Sequence, residues 1–127
     1  MTAKEYLHEP KLIKLQIQNL LRAKNEIENA QAFIKSMCRN PEFKAYSVKW
    51  GKMSASLDKE VNELRRQRAD IIEKINSLAD NRYKDLLIKK YVEFKTIDEV
   101  AEDMGYSCEY LMRLHWNAIK EFEAVIS

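Results

Sequence analysis

Two histidines, two cysteines and a short run of acids are the side chains whose chemistry could make or break bonds, and their spacing speaks against it. His8 and His115 stand far apart, and neither belongs to a nucleophile or metal motif. An exposed or hydrogen-bonded histidine accounts for each. Cys38 and Cys108 are also far apart and lack metal-like spacing, which reads as two reduced thiols. Cys108 follows a helix-start serine, where the positive helix end lowers a thiol pKa, so a redox switch is the sharper alternative there. Glu99, Glu102 and Asp103 share part of one helix, which a solvated face explains better than paired carboxylate catalysis. With two glycines in 127 residues there is no loop to cradle a phosphate. No enzyme, cofactor or metal is expected.

The elements around these residues must be helical. Two glycines and two prolines leave few tight turns for an all-β fold. Charged residues make up 33% of the chain, the composition of long amphipathic helices. No run of about 18 apolar residues suggests a membrane span, and the start, Met1-Thr2-Ala3-Lys4-Glu5, has no apolar signal core, so a cytoplasmic protein is expected. The net charge of +2 is small but uneven: residues 1–80 hold 15 basic and 11 acidic side chains, a net +4, and residues 81–127 hold 7 and 9, a net −2.

Apolar residues at Ile13, Leu20, Ile27 and Ile34 recur every seven positions, with Ile17, Lys24 and Gln31 between them. Such a stripe wants a partner helix. Because proline cannot donate a backbone hydrogen bond, this helix is expected to begin after Pro10, with residues 1–8 as a frayed lead, and to stop at Arg39-Asn40-Pro41. A connector over 40–54 follows, carrying Phe43, Tyr46, Val48 and Trp50 and the cations Lys44, Lys49 and Lys52. A second helix capped by Ser56 repeats Leu57, Leu64, Ile71 and Leu78, with Val61, Arg68 and Ile75 between. The two stripes predict an antiparallel helical hairpin or coiled-coil arm over 1–80, closed on itself or on a second subunit as a homodimer.

After a break at Ala79-Asp80-Asn81, three short helical patterns occupy about 82–92, 97–104 and 108–125. Thr96-Ile97-Asp98-Glu99 reads as a capping box. Val100 and small Ala101 face inward, Gly105 suits the left-handed residue that ends a helix, Tyr106 is the buried turn residue and Ser107 caps the next helix. Leu111, Leu114, Ala118, Ile119 and Phe122 continue the inward face. This register over about 25 residues makes a helix-turn-helix. The plainer alternative is a three-helix unit in which Gly105 is an ordinary C-cap. The fold class is therefore all-α: a long helical hairpin over 1–80, then a C-terminal three-helix helix-turn-helix unit over 81–127.

The stretch Leu87-Ile88-Lys89-Lys90-Tyr91, then Thr96 through Ser107, then Arg113-Leu114-His115 and Ala118-Ile119, resembles region 4 of bacterial sigma factors. Together with the Trp50-Gly51 connector and basic second helix, it resembles more closely the ArpU/RinA-type regulators encoded by phages of Gram-positive bacteria. The sigma-like similarity covers about a third of the chain, the phage-type similarity most of it more loosely. The resemblance implies a double-stranded DNA-binding transcription regulator acting at late phage or autolysin-type promoters.

Carried over by position, the last helix would enter the major groove with Cys108, Glu109, Tyr110, Met112, Arg113, Trp116 and Asn117 outward. Arg113 would grip guanine, Asn117 pair with adenine and Glu109 accept from cytosine. Tyr110 would reach a phosphate or thymine methyl, Ser107 and the first amides a phosphate, and His115 would support the backbone contact. Sigma-type helices are richer in Arg and Lys than Cys108, Tyr110, Met112 and Trp116 allow, and Phe94 stands where such sequences often have glycine. Fewer cations release fewer counterions, so Lys49 and Lys52, with Arg65, Arg66 and Arg68, are the expected phosphate contacts, or else a dimer supplies two readers. Two rivals follow from the same features: an adaptor docking on RNA polymerase through Met112 and Trp116, and a DNA-recognition small terminase subunit, which would form a ring.

Overall fold

The computed structural model describes residues 2–37 and 42–127, with the side chains of 37 and 42–45 left aside. It is all-α: α1 (Ala3–Met37), α2 (Glu42–Asn76), α3 (Asn81–Leu87) continuing into one π-helical turn (Ile88–Val92), α4 (Ile97–Met104) and α5 (Cys108–Ile126). A long antiparallel hairpin precedes a C-terminal three-helix unit, as the periodicity predicts. No strand occurs among the described residues. The expected stop at Arg39-Asn40-Pro41 lies outside the described residues, as do Cys38 and the side chains of Phe43 and Lys44.

The chain forms two compact units, one of Met1–Ile13 with Gln67–Ser127 and one of Lys14–Arg66. The division at 80/81 drawn from sequence therefore falls inside the first unit, because the first turns of α1 and the last of α2 share a core with α3–α5.

Within Lys14–Arg66 the seam runs as the heptads require. Ile17 and Val61 are buried, and Leu20, Lys24, Ile27, Gln31 and Ile34 are partly covered. The two polar seam positions carry cross-helix bonds: Lys24 Nζ lies 2.7 Å from Asp58 Oδ1, and Gln31 Nε2 donates to the Ser47 carbonyl at 3.3 Å. Such bonds fix register more than they add stability. The connector and the Ser56 cap are corrected: residues 42–54 are helix, and exposed Ser56 lies mid-helix. Trp50 stands one heptad before Leu57, so extending the helix continues the seam through Ser47, Trp50 and Ser54, each partly covered. That burial offsets the roughly 1 kcal/mol cost of Gly51 inside a helix.

In the other unit, α1 begins at Ala3 and runs through Pro10, correcting the frayed lead. Ala3, Leu7, Pro10 and Ile13 recur at helical spacing and are all buried. Their burial, with Ile71, Ile75 and Leu78 of α2 also buried, offsets the roughly 3 kcal/mol that an internal proline costs. Arg68, expected on the seam, is exposed.

The remaining core is Leu86, Leu87, Tyr91, Val100, Ala101, Leu111, Leu114, Ala118, Ile119 and Phe122. The Phe122 ring, fully buried, lies 5.6 Å from the Tyr6 ring of α1. Tyr6 in turn accepts a hydrogen bond from Lys74 of α2 at 2.6 Å.

Candidate nucleic-acid interface

The local devices that place α4 and α5 are those their residues dictate. Thr96 and Glu99 form a reciprocal capping box, the Thr96 hydroxyl accepting from the Glu99 amide at 3.2 Å. Gly105 ends α4 at φ 75°, and the Gly105 and Tyr106 amides return to the Glu102 and Ala101 carbonyls at 3.3 and 3.0 Å, a Schellman closure. Ser107 then caps α5 by accepting from the Tyr110 amide at 3.2 Å. Buried Ala101 lets α4 and α5 pack closely. Tyr106 is half-buried rather than buried, its ring 4.8 Å from Tyr110.

On α5 the buried residues Leu111, Leu114, His115, Ala118, Ile119 and Phe122 leave Glu109, Met112, Arg113, Trp116 and Asn117 as one exposed face. Arg113 is exposed and makes no ion pair among the described residues, which leaves its five donors available to a ligand. Ser107 is exposed, and its hydroxyl proton and the first α5 amides remain for an anion.

Three expectations at this site change. His115 is 5% exposed and cannot reach a phosphate. Its Nε2 lies 2.7 Å from the Tyr91 hydroxyl, and its Nδ1 has no partner among the described residues. Burial, then the charges of Lys90 and Lys4, lower its pKa to about 4, so it sits neutral in the core. Cys108 is exposed but donates to Asp98 Oδ1 at 3.2 Å. That bond, burial and the Asp98 charge raise its pKa, the reverse of the lowered value a helix start suggests. Tyr110 is half-buried, and its hydroxyl accepts from Arg82 at 2.7 Å, while Arg82 is held by Asp80 at 2.9 Å. Its oxygen is thus already engaged from within the unit.

Lys49 and Lys52 are exposed on α2 and belong to the Lys14–Arg66 unit, whereas α5 belongs to the other. That unit carries 11 basic and 6 acidic residues, a net +5, and the unit holding α5 carries 11 and 14, a net −3. Sequence reasoning missed Arg82, whose link to Tyr110 spans 28 positions and leaves no local pattern.

Phe94, where glycine was expected, has φ 60°. The left-handed backbone is thus kept without the glycine, at a cost of about 1–2 kcal/mol. Preceding it, the π turn closes with the Glu93 amide on the Ile88 carbonyl at 2.9 Å and carries Tyr91 inward to His115.

Among the described residues no group of His, Cys, Asp and Glu could hold a metal ion, and no helix is long and apolar enough to cross a membrane. No family model matches the chain, and no curated protein or solved structure matches it either.

Proposed function

We propose that this chain is a sequence-specific double-stranded DNA-binding regulator of transcription that reads the major groove with α5. The observation that carries the reading is the exposed face of Glu109, Arg113 and Asn117, set by two caps and the Gly105 turn on a helix whose opposite face is fully packed. A carboxylate, a guanidinium and a carboxamide at four-residue steps supply the acceptors and donors that distinguish base pairs. The likeness to sigma region 4 and to the ArpU/RinA-type phage regulators supports the same reading, and with it late or autolysin-type promoters and the cytoplasm of a bacterial host. No cofactor enters it.

The exposed apolar side chains Phe33, Tyr46, Val48 and Met53 of the arm suit a second copy of the chain, which would offer two reading helices. A second reading is favoured by one observation: Met112 and Trp116 are 37% and 45% exposed on a unit of net −3, which suits docking on RNA polymerase.

Selection of bound fragments from random duplex DNA, with mass measured on the same sample, separates these. Enrichment of one sequence by a monomer or dimer is the expected result. A ring on an enriched site supports the terminase subunit, and no enrichment supports the polymerase-docking adaptor; either outcome overturns the proposal.

A further inference from the structure

The expected phosphate contacts of the arm lie in a different unit from α5, yet the α5 unit has its own concentration of positive charge. Lys4, His8 and Lys11 follow one another at four- and three-residue steps, which puts them on one face of α1. His8 and Lys11 line a cleft with Lys90 of the π turn and with Lys95 and Thr96 of the segment after it. Its apolar wall is Leu7, Tyr91 and Phe94, and no carboxylate among the described residues lines it.

These cations differ in how far they are neutralised. Lys95 is ion-paired with Asp103 at 2.6 Å and lies 3.8 Å from Glu93, so it brings little free charge. Lys4 and Lys90 instead rest on rings: Lys4 Nζ is 4.5 Å from the Trp116 ring centre, and Lys90 Nζ is 5.5 Å from that of Tyr91. A ring face orients an ammonium without cancelling its charge. Both charges reach the buried imidazole of His115 and push its pKa the same way, the sign of a local positive potential.

The site also connects to the reading helix. His8 stacks edge-on against Tyr91 at 5.8 Å, Tyr91 lies 5.8 Å from His115, and His115 lies 5.3 Å from Trp116 on the exposed face of α5. Two turns of α1 and the π turn are thereby held to α5 by packed rings.

We propose that His8, Lys11 and Lys90 form a phosphodiester-binding cleft, flanked on the same face of α1 by Lys4 over the Trp116 ring, that grips the duplex backbone beside the groove read by α5. The inference rests on the DNA-binding reading above and supplies what that reading lacks, cationic phosphate contacts within the net-negative unit. Lysines positioned by α1 and the π turn fix the register of the duplex, and α5 supplies the sequence preference.

The test compares the full chain with Lys4→Gln/Lys11→Gln/Lys90→Gln on a random-sequence duplex and on the enriched duplex, titrating salt from about 50 to 200 mM. Glutamine keeps much of the stem and removes the charge. The expected result is a salt slope shallower by about 2–3 on both duplexes, because each phosphate contact contributes about 0.9 to the slope. Lys11→Gln alone, at an exposed position, gives a slope change of about 0.9 should the triple variant lose its helical circular dichroism. Lys84→Gln/Lys120→Gln removes cations that do not line the cleft and leaves the slope closer to that of the parent than Lys11→Gln/Lys90→Gln does. Equal flattening by the two double variants, or an unchanged slope in the triple variant while the parent still binds duplex, overturns the cleft and leaves α5 reading intact. A parent chain that binds no duplex overturns both.

Discussion

Phe122→Ala is expected to destabilise the α5 unit by about 3–5 kcal/mol in urea unfolding, because a fully buried aromatic leaves a cavity that its neighbours only partly fill. Phe122 is 0% exposed, and its ring meets Tyr6 from the first turns of α1. Phe33 has the same side chain on the same α1 but is 65% exposed. Phe33→Ala is therefore expected to change the stability of the monomer, measured at a concentration where no dimer forms, by no more than about 0.5 kcal/mol. The contrast bears on the fold directly. If the start of α1 were a frayed lead, Phe122 would be half-open and its truncation would cost far less. A loss below about 1 kcal/mol for Phe122→Ala would contradict the shared core.

Stability should also fall between pH 7.5 and pH 5 by about 2 kcal/mol through His115 alone. Its folded pKa is lowered to about 4 from an ordinary 6.5, by burial first and then by Lys90 and Lys4. The unfolded chain therefore binds a proton that the folded chain does not across the interval between those values. The stabilisation is complete above pH 6.5 and is lost as pH falls towards 4. The groups facing the ring are the Tyr91 hydroxyl, with Lys90 and Lys4 supplying charge, and no carboxylate among the described residues acts on it to reverse the sign. His115→Phe keeps a ring of similar size and removes the titration, so its stability should be flatter over this interval. Equal pH slopes for the two proteins would show that His115 is not held neutral.

The elements most legible in the sequence are those set by local chemistry. Thr96 with Glu99, Gly105 and Ser107 announce two helix starts and a stop, and each does what its type predicts. The seven-residue stripes likewise mark the seam, because burial repeats with the helix turn. What was not legible depends on partners distant in sequence. Pro10 reads as a helix boundary until Ala3, Leu7 and Ile13 are seen to bury with it. Trp50 and Ser54 read as connector because they lie between the stop at Pro41 and the cap expected at Ser56, although the spacing from Trp50 to Leu57 and Leu64 already carried the seam. His115 follows an inward leucine on α5, but only the π turn brings Tyr91 to it. Cys108 looks activated by its helix start until Asp98, ten positions earlier, accepts from it.

The candidate interface was legible to a similar degree. The outward face of Glu109, Met112, Arg113, Trp116 and Asn117 follows from helical spacing alone. The basic face of Lys4, His8 and Lys11 was equally regular, but it becomes meaningful only when α1 begins at Ala3 and packs beside α5.

The central claim is that Arg113 reads a base pair, and the most direct measurement is the affinity of the parent and of Arg113→Ala for the enriched duplex and for a scrambled duplex of equal length at one salt concentration. A weakening of about 1–3 kcal/mol confined to the enriched duplex is the predicted result, since a guanidinium that reads one base matters only where that base is present. An equal weakening on both duplexes would make Arg113 a phosphate ligand, and unchanged affinity for both would contradict the reading role of α5.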